Sequence, residues 1–466
     1  MPVKGQRRTT KKMTPTHRPA ATAPAETLPP PSDFLGRLRQ VGPSLILTAG
    51  IVGSGELIVT TTLGARLGFA ALWLILLSCA SKVVLQVEIG RYAISSGDSS
   101  LRSVDRIPGP RWRASWVVWG WLLSTLISAS LVGGIVGGVA QCLHLILPHL
   151  SVTAWGVIAC LVTLGILLSG GYSVVERGAM LMVVAFSLTT VVAAGALQWS
   201  GHALSPENVW EGLTFQLPAQ GGLALAFALF GLTGVGTSDL FAYPNWCLEK
   251  GYARHIGPRS GRPDWNQRAR GWIRVMQLDA LLAMGIYTTI TVAFYLLGAA
   301  VLHGQGLVPE GGQMIATLSR TFTGIFGPWG YFVFLTGALV TLYSTLFASV
   351  AANAIMGLDC LTVFGFLARN RPLQRVRWRR GLQVFWAAVY ATIFLAFPEQ
   401  PVQLIVVGGV VQTGMLPVIA CSILYLRYRR LDRGIGPSPW VDWLLWLSAG
   451  LTLCVAAYTL LGHLDG

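Results

Sequence analysis

Two carboxylates in different halves of the chain each stand behind a run of small residues. They are Glu56 in Gly53-Ser54-Gly55-Glu56-Leu57-Ile58 and Asp239 in Gly236-Thr237-Ser238-Asp239-Leu240-Phe241. Glycine and hydroxyl residues are poor helix formers, so each run should unwind its helix and expose backbone groups that a continuous helix hides. A carboxylate at such a break is costly in hydrocarbon unless it faces a cation. Interrupted helices in corresponding positions of two halves point to the substrate site of a secondary transporter, and inverted halves would bring both motifs to the bilayer midplane. Two acids held that close cannot both stay ionised alone, so either a metal bridges them or they share a proton. With backbone carbonyls near Gly53 and Gly236 and the hydroxyls of Ser54, Thr237 and Ser238, the pair would complete an all-oxygen shell. Such a shell suits hard ions such as Mg²⁺, Mn²⁺ or Ca²⁺. The plainer alternative is that each acid accepts freed backbone N–H groups and only holds the kink.

Other polar residues fall inside apolar stretches. Lys82, Glu88 and Arg91 share one stretch, with 88 and 91 on one helical face, which suits an ion pair and also a gate or proton relay. Asp279 stands at a span boundary, where an interfacial role competes with an inner-gate role. His303 is expected in a solvated loop. Gln412, Thr413 and Met415 precede Pro417, which should kink its helix and free a carbonyl; Met415 is either cavity lining or packing. The Gly133, Gly134, Gly137 and Gly138 face, with its GxxxG spacings, signals close helix contact.

The elements that must position these residues are membrane spans. The chain is 53% hydrophobic and 11% charged, far too apolar for a soluble globule. Eleven spans are expected, at residues 42–67, 69–94, 115–144, 152–170, 174–198, 221–247, 272–302, 325–360, 381–398, 402–427 and 438–463, each near or above the length a bilayer requires. The net charge of +15 is concentrated in alternate loops: Arg102 to Arg113, Lys250 to Arg274, Arg369 to Arg380 and Arg427 to Arg433. That asymmetry puts the N-terminus in the cytoplasm and the C-terminus outside a cell membrane. The basic excess is thus topology and contact with acidic lipid headgroups rather than nucleic-acid binding. Residues 1–40 read as a disordered, basic, Pro- and Ala-rich cytoplasmic tail, with no apolar core of a signal peptide. Seven scattered cysteines offer no disulfide framework or zinc motif. Trp112, Trp116, Trp199, Trp210, Trp440 and Trp443 read as interfacial anchors.

Several stretches resemble the Nramp family of proton-coupled divalent-metal transporters. The first span, GPSLILTAGIVGSGELIVTTTLGARLG, is similar to the family's first span in its opening Gly-Pro, its central motif and its closing Gly-Ala. Gln86, Arg91, Ile94 and Gly97 resemble the family's Gln-x4-Arg-x2-Ile-x2-Gly. Tyr172 to Arg177, with Glu176, resembles its Leu-Glu-Lys opening of span five, and Ala299 to Gly304 is close to its Ala-Ala-Val-Phe-His-Gly. The resemblance implies an all-α polytopic membrane protein of LeuT-type fold: two inverted five-helix repeats (41–198 and 221–430) joined by an outer loop (199–220), then an eleventh helix (431–466). The family's Asp-Pro-Gly-Asn is replaced by Gly53-Ser54-Gly55-Glu56, and its Met-Pro-His by Ser238-Asp239-Leu240. The carboxylates of span three are replaced by Leu131 and Gly134. Loss of the thioether favours harder ions, Mg²⁺ or Mn²⁺, and loss of the span-three acids implies weak dependence on a proton gradient.

The first functional reading is therefore a divalent-cation carrier with Glu56 and Asp239 as metal ligands, contacting lipid and requiring no cofactor. The alternative is a cation-coupled symporter of an organic solute such as an amino acid; two acids with no intramembrane base nearby favour the metal. A sensor or scaffold would lack a reporting domain. An enzyme is disfavoured, since no nucleotide-binding loop, HExxH or nucleophile elbow is present.

Overall fold

Long apolar runs with proline at their first turns fold as helices that stop where glycine, proline or clustered charge intervenes. A computed structural model describes residues 27–42, 53, 55–169, 172–215, 223–260, 263–368 and 371–464. Helix α1 (Phe34–Gln40) is capped by the Asp33 carboxylate, which accepts from the Gly36 N–H at 3.0 Å. A π-helical turn (Gly55–Thr60) leads into α2 (Thr61–Leu67). Then come α3 (Leu72–Ser96), short α4 (Ser100–Asp105), a two-residue ribbon of Arg111–Trp112 with Ala114–Ser115, α5 (Trp116–Ile127) and α6 (Ala129–Ile146). Helices α7 (Val152–Ser169) and α8 (Tyr172–Ala196) complete the first half. After α9 (Pro206–Glu211), the second half runs α10 (Leu223–Leu232), α11 (Thr237–Glu249), α12 (Tyr252–Ile256), α13 (Pro263–Leu297), α14 (Met314–Phe326), α15 (Pro328–Val363), α16 (Pro372–Ala396) and α17 (Pro401–Arg429). Helix α18 (Pro439–Leu464) closes the chain.

Among the described residues, nine helices are long and apolar enough to cross a membrane. Two of the eleven expected spans fall outside that set. In the first, residues 43–52 and Ser54 lie outside the described residues, and the ninth, α16, opens with Arg375, Arg377, Arg379 and Arg380, which dilute its hydropathy. The third span is two helices, α5 and α6, joined at Ser128.

The interior is built where helices cross closely. The small face of α6 meets three partners: a methyl group on Gly133 would stand 2.6 Å from Ile393 of α16, one on Gly134 2.6 Å from Ile405 of α17, and one on Gly138 2.9 Å from Leu342 of α15. The expected close packing is thus present, and α6 is the post around which the second half is arranged. Helix α10 lies along α17, and α3 along α11 and α13. These contacts hold the two halves of the second broken helix against fixed neighbours.

One sequence expectation is corrected at the N-terminus. Residues 27–40, expected within a disordered tail, are pinned to the second half of the molecule. The Leu28 N–H donates to the His255 carbonyl at 3.1 Å, Trp272 Nε1 donates to the Leu28 carbonyl at 3.0 Å, and the Tyr252 hydroxyl donates to the Gln40 carbonyl at 2.8 Å. Backbone groups paired with buried aromatic side chains offset the entropy that would otherwise leave so polar a segment loose. Residues 1–26 lie outside the described residues.

Candidate functional site

The two runs of small residues break their helices in different ways. Past Gly53 the chain enters the π-helical turn, and two hydroxyls bind carbonyls of that turn. Thr60 Oγ1 donates to the Gly55 carbonyl at 3.1 Å and Thr61 Oγ1 to the Glu56 carbonyl at 3.4 Å. Ser54 lies outside the described residues. In the second half the break falls at residues 233–236, where Gly234 takes φ +62° and a Cβ would meet the Tyr287 ring at 2.8 Å. Only glycine satisfies both that backbone and that neighbour.

Thr237, Ser238 and Asp239 are therefore not unwound, as their composition suggested, but form the first turn of α11. The reason is capping: Asp239 Oδ2 accepts from the Gly236 N–H at 3.1 Å, and an acid in the first turn complements the helix dipole. Gln412 of α17 completes the cap. Its Oε1 accepts from the Thr237 N–H at 3.1 Å, and Thr237 Oγ1 donates to its carbonyl at 2.8 Å. The Thr237 hydroxyl is thereby turned into α17, while Ser238 stays exposed to the cavity beside it.

That cavity has a volume of about 270 Å³ and begins at Gly55, Gly236, Asp239 and Gln412. It continues between α5, α8, α11 and α15 toward the face that carries the basic loops, with Trp246 and Asn353 further along its walls. Asp239 is the one charged residue among the described residues that line it. Leu131, where the resembled family has an acid, lines the cavity, whereas Gly134 is packed against Pro401 and Ile405. On the opposite face the route is filled. Phe186 stacks on Phe322 with ring centroids 5.6 Å apart, and Gln141 Nε2 donates to the Gly311 carbonyl at 2.9 Å while its Oε1 accepts from the Ile315 N–H at 3.1 Å.

Glu56 is fully buried behind this cavity and does not line it. Its carboxylate accepts from the Gly53 N–H and from Thr291 Oγ1 of α13, each at 3.4 Å. The expectation that no base lies near the two acids is corrected by Lys82. This lysine is buried on α3, and its ammonium lies within electrostatic reach of both Glu56 and Asp239. Its direct partners are the Phe230 carbonyl at 2.7 Å and the Thr233 carbonyl. The sequence placed Lys82 in span two but held no cue to which element it faces.

The remaining candidates lie nearer the basic face. Arg91 Nε donates to Glu88 Oε1 at 2.9 Å, and Arg427 Nη1 stands 4.0 Å from Glu88 Oε2. Arg427 Nε donates in turn to Asp442 at 2.8 Å, and Arg91 Nη1 to the Ile435 carbonyl at 3.3 Å. This buried network joins α3, α17 and α18 and was visible in the sequence only as the Glu88 and Arg91 pair. Asp279 is buried and accepts the Gly42 N–H at 2.8 Å, so it holds the approach to the first span against α13. His303 is exposed, with Nδ1 2.9 Å from the Ala65 carbonyl. Met415 is buried in packing, and Gln412 rather than Met415 reaches the cavity. Among the described residues no three His, Cys, Asp or Glu side chains cluster as a metal cage, so any ion held here would draw on backbone and neutral oxygen atoms as well.

Known proteins share this sequence and architecture. The profile of the family described as Natural resistance-associated macrophage protein-like (Nramp) matches residues 44–462. The divalent metal cation transporter MntH of Mycobacterium leprae is 26% identical over 336 residues, covering 72% of each chain. MntH 1 of Pseudomonas aeruginosa is 25% identical over 457 residues, covering 95% of this chain and 96% of its own. Among solved structures, a manganese transporter of Eremococcus coleocola superposes with a TM-score of 0.65 at 16% identity, covering 93% of this chain and 89% of that one. MhsT in complex with L-phenylalanine gives 0.59 at 15% identity, covering 94% and 99%. The fold is accordingly all-α and LeuT-type, with two inverted five-helix repeats and an eleventh helix, as the sequence implied.

Proposed function

This chain belongs to the Nramp family, and from that membership we propose that it is a secondary transporter of divalent metal cations working by alternating access around its two broken helices. The observation that carries the reading is the Asp239 carboxylate, alone in charge among the described residues of the cavity wall, beside Gly55 of the first break and Gly236 of the second. Ser238 and Gln412 line the same pocket and bring neutral oxygen, and Gly55 lets the first break approach it. An oxygen-only set of low charge favours Mn²⁺ or Mg²⁺ that keep part of their water. In this reading Asp239 touches the ion, and Glu56 contributes negative charge from behind the break. With the N-terminus inside, the basic face is cytoplasmic and the cavity faces inward. The Glu88, Arg91 and Arg427 network and the Asp279 anchor then act as inner-side latches that must yield or re-form as the site changes access.

The test is uptake into proteoliposomes across Mg²⁺, Mn²⁺, Ca²⁺, Cd²⁺ and amino acids, with Asp239→Asn and Glu56→Gln as controls. Saturable metal flux lost in Asp239→Asn supports the reading. Metal silence in the unmodified protein rejects it. A second reading, an organic ammonium solute, is favoured by the buried Lys82: a cationic side chain in the same interior as the two acids lowers the net charge a cargo must supply. Flux of an amine or amino acid with no metal competition would select it. Since Leu131 and Gly134 stand where proton-moving acids would be, metal uptake is expected to respond weakly to an imposed proton gradient.

A further inference from the structure

The ammonium of Lys82 sits in an unusual place for a lysine. It is not ion-paired through direct contact with Glu56 or Asp239 but is bound at the C-terminal end of α10, to the carbonyls of Phe230, at 2.7 Å, and Thr233. Those carbonyls are left over where the helix stops, and the end of a helix carries partial negative charge. Two hydroxyls surround the same spot. Ser78 Oγ, one turn before Lys82 on α3, donates to the Phe230 carbonyl at 3.1 Å, and Thr233 Oγ1 donates to Ser78 Oγ at 2.9 Å. Both residues and Lys82 are buried. The Phe230 ring adds its face to the ammonium, 5.6 Å from its centroid. Two carbonyl oxygens at the end of a half-helix, with the Ser78 and Thr233 hydroxyls hydrogen-bonded beside them, form the kind of surroundings that bind a small monovalent cation in broken-helix carriers.

We propose that Lys82 is a tethered occupant of an alkali-cation site: its side chain fills with covalently attached charge the oxygen cage at the end of α10, so the chain needs no free Na⁺ or K⁺ there. The arrangement holds whichever cargo is carried, because none of Ser78, Lys82, Phe230 and Thr233 lines the Asp239 cavity. A free ion would leave and return during each cycle, whereas this one moves only as α3 and α10 move. The α3 and α10 contact is therefore locked in charge as well as in packing.

The experiment is thermal unfolding of the purified full-length protein in choline chloride, NaCl and KCl at equal ionic strength. The unmodified protein should unfold at the same temperature in all three. Lys82→Ala, which empties the cage, and Lys82→Gln, which keeps length without charge, should both be destabilised in choline. In Lys82→Ala, Na⁺ or K⁺ should raise the unfolding temperature by several degrees along a saturating curve. A purely packing role for Lys82 would not produce alkali dependence. A folded Lys82→Ala protein blind to both ions overturns the proposal, as does an alkali-dependent shift in the unmodified protein. A Lys82→Ala protein that folds in none of the three salts overturns it too, since Na⁺ or K⁺ should restore the missing charge.

Discussion

At Asp239 a single side chain serves two neighbours, since one carboxylate oxygen caps α11 through the Gly236 N–H while the residue faces the cavity. Asn at this position keeps shape and can still accept at the cap, so Asp239→Asn should leave the unfolding temperature nearly unchanged. It should nevertheless cost about 3 kcal/mol of cation binding, roughly a hundredfold in affinity, read as the loss of saturable uptake. Glu56→Gln removes charge from a group that lies behind the cavity, and a smaller loss of uptake is expected. Equal loss from both would mean that Glu56 enters the cavity during transport. The two carboxylates were legible in the sequence because charge is so sparse in these spans. Their inequality was not, because burial and cavity facing depend on helix rotation, which residue type does not encode. Lys82 was illegible for the same reason: its partners are backbone carbonyls about 150 positions away, and carbonyls have no sequence signature.

At the level of elements, the second break depends on Gly234 and Gln412. Gly234→Ala places a side chain at positive φ and against Tyr287, and should destabilise the protein by about 1–3 kcal/mol, measured by denaturation in detergent. Gln412→Leu leaves the Thr237 N–H unpaired, for about 1–3 kcal/mol. Uptake should fall more than stability does, because the α11 start then loses its register against α17. Glu88→Gln leaves Arg91 and Arg427 without their shared acid, a change worth roughly 3–5 kcal/mol for a buried pair. The break itself was readable from its glycines, but its position was displaced, because an Asp at the third helical position caps a helix as readily as it marks an unwound run. On the basic face, Asp432 is held below the usual carboxylate range by the Gly434 N–H and then by Arg259. Its contribution is complete above the ordinary carboxylate pKa and is lost as pH falls through the lowered value. Acid should therefore loosen the Arg259 contact before it affects the spans, visible as faster amide exchange around residues 432–436.

For the whole molecule the cavity lining runs from Asp239 toward the basic face, while on the other side Phe186 stacks on Phe322 and Gln141 bonds Gly311 and Ile315. In a cysteine-free background, Ser238→Cys and Ser349→Cys should react with a membrane-impermeant thiol reagent applied at the basic face. Leu342→Cys, buried against Gly138, should stay protected. Labelling only from the opposite face would reverse the assigned orientation. Among the described residues, nine of the spans were legible from hydropathy, which follows from the bilayer acting as solvent. Which side is open was not, because two packings of the same helices satisfy the same pattern.

Helix α15, 36 residues from Pro328 to Val363, is about 54 Å long, far more than the roughly 30 Å of hydrocarbon it crosses. One end is clasped where Phe334 meets Phe322, with centroids 5.4 Å apart, and the other end walls the cavity from Ser344 to Met356. Such a rod is a lever. A tilt of only ~5° about Phe334 sweeps the far tip, about 44 Å away, by about 4 Å. Shaving the fulcrum, as in Phe334→Ala, would slacken a mouth at the other side of the membrane without touching any residue that lines it.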